Sequence, residues 1–145
     1  MKIGLTVVIV LLFISCEVKP DKIVYGKDAC HYCKMNIVEK NHAAQLVTKK
    51  GKQFKYDAAE CLLNDLNKKD IDKVAILLVA DFYSPEKLID ATKATFLVSD
   101  SIQSPMGENL ATFEERKDAV SFIKKNRHGD LYSWNEIQEH FNTKE

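Results

Sequence analysis

Neither sign of charge predominates in this 145-residue chain, because 21 lysines and arginines are balanced by 21 aspartates and glutamates. That balance excludes the broad basic field by which proteins hold nucleic acid. No serine–histidine–aspartate grouping, phosphate-binding loop or pair of catalytic carboxylates stands out, so the sequence does not point to an enzyme. No apolar run reaches the roughly 20 residues of a membrane-spanning helix. Low-complexity segments and long linkers are missing as well. Cysteine is scarce, with four residues in all, yet their placement is the most informative feature of the chain.

The N-terminus, MKIGLTVVIVLLFISC, has a positive start at Lys2 and an apolar stretch from Ile3 to Ile14. This is the length of a signal-peptide core. The "FISC" that follows resembles the lipobox of bacterial lipoproteins, with Phe13 where leucine is commonest. Residues 1–15 are therefore expected to be a cleaved lipoprotein signal peptide, with Cys16 as the lipidated residue. Residues 16–22 would form a tether, and several acyl chains would anchor it stably to a membrane. The protein would then face the periplasm, with inner or outer membrane left open.

The remaining residues, about 130, suit one compact domain or two very small ones. "AAQLVTKKGKQFKYD" predicts two strands around a turn at Gly51, and "AAECLLNDLN" predicts a helix with one apolar face. "VAILLVA" predicts a buried strand. The second half echoes the first: strands at "ATFLVSD" and "NLATF", a helix packing through Ala119, Phe122 and Ile123, a strand at "DLYSW" and a terminal helix toward Phe141. Thr112-x-x-Glu115 and Ser133-x-x-Glu136 have the pattern of capping boxes. The expected fold is α+β, with two related ββαβ modules at approximately 23–86 and 87–145.

"ACHYCKMN", residues 29–36, gathers two cysteines, a histidine and a methionine. The spacing lets the sulfurs of Cys30 and Cys33 turn toward one point, and an extended backbone would project Met35 to the same side. Thiolate and thioether donors suit Cu(I), and a thioether needs no deprotonation. A redox dithiol is also compatible with Cys-x-x-Cys, since His31 can stabilise a thiolate. A structural zinc site would need further ligands, from Cys61 with His42, His128 or His140, because there is no second Cys-x-x-Cys. If Cys16 carries lipid, three thiols remain, and a disulfide framework leaves one unpaired. Cys61 falls on the apolar stripe of its helix and is expected to be buried rather than ligating; a disulfide to Cys30 or Cys33 would block metal binding. His42, His128 and His140 lie among polar neighbours and are expected to face solvent. Tyr32 is either a shield for the metal or a packing residue.

"DACHYCKMNI" resembles the cysteine–methionine segment of the NosL family, the membrane-anchored accessory lipoproteins of nitrous oxide reductase. The resemblance continues through "KQFKYDAAE", "LIDATKATFLVSD", "SPMGENLATF" and "GDLYSWNEI". It implies a Cu(I)-binding metallochaperone that delivers copper for the copper-sulfide centre of nitrous oxide reductase. The implied partners are that enzyme and its maturation and ABC-transporter complex. By position it assigns Cys33, Met35 and Met106 as metal ligands, with Cys30 and His31 as further donors. Two positions depart from the family's commonest pattern. Lys34 stands where glycine often precedes the methionine, and Pro105 replaces a small residue before Met106. The expected mechanism is handover of a low-coordinate ion rather than catalysis. The alternatives are a lipoprotein thiol–disulfide oxidoreductase using Cys30 and Cys33, and a copper binder without a dedicated client.

Overall fold

The computed structural model describes residues 17–143. The expected signal peptide and its lipidation residue Cys16 lie outside the described residues. Seven strands and three helices follow in the order β1 (Ala44–Thr48), β2 (Gln53–Tyr56), α1 (Ala59–Leu66), β3 (Val74–Ala80), β4 (Leu88–Asp90), β5 (Thr95–Val98), β6 (Leu110–Phe113), α2 (Arg116–Asn126), β7 (Asp130–Tyr132) and α3 (Trp134–Asn142). They form two antiparallel sheets, ordered β2-β1-β3-β4 and β6-β5-β7. The ββαβ unit recurs with the same strand order, its first strand central in each case. The α+β expectation and its internal repeat are therefore both present. β4, a three-residue strand beyond residue 86, extends the first sheet by pairing with β3.

Alternation along the strands decides which layers touch. In β5, Phe96 and Val98 face one core cluster while Leu97 faces another. Leu97 and its neighbours Ala111 and Phe113 meet Ala119 and Phe122 of α2. The opposite face of that sheet joins Leu46, Tyr56, Leu62 and Val79 of the first module, together with Ile137 and Phe141 of α3, in one larger core. Helix α1 packs on β1, β2 and β6, and α3 packs on α1, β5 and β7. The two modules thus share a single interior, in which Cys30 and Cys61 are buried.

Local signals explain most element ends. Gly51, with φ +80°, closes the β1–β2 hairpin, and its N–H donates to the Thr48 carbonyl at 2.8 Å. Glu136 accepts from both the Ser133 N–H and its hydroxyl at 2.7 Å, the reciprocal contact expected at the start of α3. The other capping pattern is not used. Thr112 lies within β6 and donates its hydroxyl to the Ala80 carbonyl, while Glu115 is the residue that precedes α2. There the strand claims the threonine, because its hydroxyl bridges the two modules.

Candidate metal centre

The cysteine loop is held from both sides by its backbone. Gly26 N–H donates to the Ile37 carbonyl at 2.8 Å, Ile37 N–H to Asp28 at 2.9 Å, and Cys30 N–H to Met35 at 2.7 Å. Within this frame the Lys34 N–H reaches the Cys30 carbonyl at 3.1 Å, and Lys34 adopts a left-handed conformation with φ +68°. That is the region glycine enters at no steric cost. The lysine therefore keeps the turn that a glycine would make, at a strain of about 1 kcal/mol. Asp28 braces the loop's first leg. Its carboxylate accepts from Val24 N–H at 2.8 Å and from Lys55 at 2.7 Å, and the lysine contact is the larger cause of its lowered pKa. On the strand side, His31 N–H donates to the Lys55 carbonyl at 2.8 Å.

Helix α1 supplies the third thiol. Cys61 sits in its first turn on the face that covers β1 and β2, and there its sulfur meets those of Cys30 and Cys33. The three sulfurs lie within 4.8 Å of one another. All three cysteines are free, with Cys30 and Cys61 buried at 1% and 0% exposure and Cys33 half-buried. Around a metal with bonds of about 2.3 Å, thiolates stand about 3.8–4.0 Å apart. The group therefore needs only small inward movements to close on one ion. Cys61, expected to be buried rather than ligating and named only as a possible zinc ligand or disulfide partner, is the residue the sequence leaves out of the copper site. Its signal was faint: the third thiol in an odd count, on the same helical face as the core.

The three thiols are electrostatically unequal. Cys30 accepts a hydrogen bond from the Cys61 thiol and further ones from the N–H groups of Asp57 and Cys33, and these outweigh burial and draw its pKa well down. Cys61, as donor to Cys30, is pushed up by that bond and by burial. Burial is also the largest cause of the raised pKa of Cys33. One thiolate held by two neutral thiols is the arrangement a cation can enter by displacing protons.

The remaining predicted donors fall in different places. Met106 is half-buried and, like Cys33, packs against the core cluster that contains Cys30 and Cys61. Met35, by contrast, is 47% exposed, and its backbone N–H donates to Cys33. The left-handed Lys34 breaks the extended geometry that would have put the Met35 side chain beside Cys33. His31 lies outside the group of three. Its ring stands edge-on to Phe54 at 4.6 Å and its Nε2 is 3.9 Å from the Asp65 carboxylate. Asp65 also accepts from the buried Tyr56 hydroxyl at 2.7 Å and pairs with Lys69 at 3.0 Å. Tyr32 packs partly buried against the core, with the Lys68 ammonium over its ring at 5.4 Å from the centroid. Of the distant histidines, His128 is exposed and His140 half-buried. The expectation that His42 faces solvent is overturned: it is 5% exposed and stands edge-on to Phe82 at 5.6 Å. Its sequence neighbours are polar, but residues from the end of β3 cover it.

Glu60, beside Cys61, is wholly buried, and neither carboxylate oxygen has a hydrogen-bond partner of ordinary geometry. Burial raises its pKa, with Ser104 of the Met106 loop as the nearest relief. A raised carboxyl favours folding while protonated, and that stability is lost as pH rises through the folded-state pKa. Glu60→Gln is therefore expected to stabilise the metal-free protein by about 1–2 kcal/mol at pH 8 and by less at pH 5. Thermal melts at the two pH values check it, and an equal or negative shift at pH 8 would show that the charge is compensated.

Comparison with known proteins fits this geometry. The family model NosL matches residues 22–141. The chain belongs to the NosL family. Among solved structures, it is similar to the copper chaperone NosL from Shewanella denitrificans, with a TM-score of 0.70 and 27% sequence identity. The match covers 83% of this chain and 96% of the other. A search of curated proteins finds no match. A NosL fold around three clustered cysteines fits the holding of a metal ion.

Proposed function

We propose that this NosL protein is a lipid-anchored Cu(I) chaperone that supplies copper for the copper-sulfide centre of nitrous oxide reductase. The observation that carries the copper reading is the convergence of the Cys30, Cys33 and Cys61 sulfurs in a largely buried cluster. Three thiols joined by no fourth cysteine, imidazole or carboxylate among the described residues fall short of the four-ligand shell of zinc and suit a low-coordinate soft monovalent ion. The likeness to a solved copper chaperone supports the same choice.

The group is graded from floor to mouth. Cys30 and Cys61 form the buried floor, and Cys33 is the half-exposed member next to Met35. An incoming thiolate or imidazole would attack the ion from the Cys33 side while the floor thiols still hold it. Met35, exposed beside that mouth, is free to swing onto the ion as a thiol leaves. Met106 would serve as the thioether from the second module. Bound by few ligands, the ion can exchange without ever being released to water.

The oxidoreductase alternative asks for an exposed, acidic attacking thiol. Here the acidic thiol, Cys30, is buried, and the more accessible Cys33 has a raised pKa. Anaerobic titration of the reduced protein with Cu(I) should bind about one equivalent, with the thiolate-to-copper charge-transfer band saturating at that ratio. Reduction of a model disulfide at an appreciable rate, lost in Cys30→Ser, would favour the alternative instead. The client is tested separately. Loss of this protein in its own cells should leave nitrous oxide reductase poor in copper, and a fully loaded enzyme in such cells would remove the assignment.

A further inference from the structure

Residues 19–22, expected to be a tether, are bound to the domain. The Gln53 side chain donates to the Lys19 carbonyl at 2.9 Å and accepts from the Asp21 N–H at 3.2 Å. Gln45 donates to the Asp21 carbonyl at 3.0 Å, and Lys55 to the Lys22 carbonyl at 2.7 Å. The chain is thus fixed to β1 and β2 from Lys19 onward. On the reading that Cys16 carries lipid, only Glu17 and Val18 separate the anchor from that point, a span of three residue steps and no more than about 11 Å.

The surface beside that point is the β1–β2 hairpin tip. Gln53 itself reaches the Gly51 carbonyl at 3.3 Å. Lys49, Lys50 and Lys52 project from this tip, all exposed, and none is in an ion pair among the described residues. Nearby acids are mostly neutralised. Glu17 pairs with Lys19 at 2.8 Å, Asp28 with Lys55 at 2.7 Å and Asp70 with Lys73 at 3.0 Å, which leaves Asp21 on the bound segment and Asp72 on the adjoining turn against the three hairpin lysines and Lys22. In a chain of no net charge, the end next to the acyl chains is therefore locally positive.

We propose that the hairpin Lys49, Lys50 and Lys52 is a second membrane contact, seated on anionic phospholipid headgroups, which fixes the orientation of the lipid-anchored domain. The proposal rests on lipidation at Cys16. A lipid anchor alone leaves the domain free to tumble at the surface, whereas an anchor plus a basic patch defines a face. The consequence reaches the metal centre along β2. Lys52 lies 4.9 Å from the centroid of the Phe54 ring, and that ring stacks edge-on with His31 of the cysteine loop. The loop's mouth would then sit roughly 10 Å along the strand from the headgroup-facing lysines. Copper would be offered at the level of the bilayer surface, where a membrane-embedded donor or acceptor exposes its own ligands.

The test uses the mature, lipidated protein reconstituted into phosphatidylcholine vesicles with and without phosphatidylglycerol. Lysines are acylated under brief exposure to an amine reagent and quantified by mass spectrometry. Lys49, Lys50 and Lys52 should each label about fivefold more slowly on the anionic vesicles. That protection should vanish in molar salt, as headgroup contact requires. Lys117, Lys124 and Lys125 of α2 should label equally on both. Equal labelling of the hairpin on the two lipids overturns the proposal, and so does hairpin protection in native membranes but not in vesicles, which would identify an acidic protein as the occupant. The intact mass separates the underlying reading. A mature protein without acyl chains on Cys16 removes the anchor, and with it the two-point seating.

Discussion

Cys61→Ser is expected to lower the Cu(I) affinity by at least about a hundredfold, the upper end of what the loss of an outer-shell partner alone costs. The change is nearly isosteric and lies in the first turn of α1, where a serine preserves the helix start, so the fold should survive it. Competition against a chromophoric Cu(I) chelator at fixed pH measures the effect. A second readout separates ligation from packing. In the metal-free protein Cys30 is drawn toward the thiolate, whereas Cys33 and Cys61 are held protonated. Copper that binds all three thiols must displace about two protons, so its affinity should fall about a hundredfold for each unit drop in pH. In Cys61→Ser one of those protons is gone, and the slope should drop to about tenfold per unit. Unchanged affinity and slope would show that Cys61 only fills the core, and the site would contract to Cys30, Cys33 and their methionines.

This expectation could not have been formed from the sequence, and the reason is physical. Cys30 and Cys33 announce themselves because their convergence is local, set by a turn of four residues. The position of Cys61 depends on how α1 lies over β1 and β2, a packing decision made 28 residues away. Sequence periodicity placed Cys61 on the buried face, which was right as far as it went. It could not say which buried neighbours that face would meet. Met35 shows the converse limit. Alternation along an extended chain predicts its direction only while the backbone stays extended, and Lys34 leaves that region.

The fold was more legible than the site. Every strand but β4, and all three helices, are legible: β1 and β2 as a hairpin around Gly51, β3 as a continuous apolar run, and the helices by their apolar faces. β4 is not legible because it is an edge strand that pairs only with β3 and buries one side chain, Ile89. The capping motif at Thr112 failed because a hydroxyl that precedes a helix can also serve a strand, and only the neighbouring module decides which. His42 was misjudged for the same reason: Phe82, which covers it, is distant in sequence.

Phe96→Ala should destabilise the protein by about 3–5 kcal/mol, the largest effect expected of a single core truncation here. For a domain of this size that lowers the melting temperature by about 10–20 °C. Phe96 is fully buried on the face of β5 that looks into the first module, with Trp134 tilted against it at 5.9 Å between ring centroids. The same cluster contains Cys30, Cys61 and the packed Met106. A cavity there removes contacts from both modules at once, so the molecule should still unfold in one step. Far-ultraviolet circular dichroism and the reactivity of the buried thiols should report the same midpoint. If instead the thiols stayed protected while the second sheet melted, the modules would be separately stable and Met106 would not be tied to the cysteines by packing. A single coincident transition has a consequence for function. Copper bound to the cysteines would then stabilise both modules by mass action, and the metal-loaded variant should recover much of the lost midpoint. The second sheet and α3 would in that case act as the wall against which the metal loop is held closed.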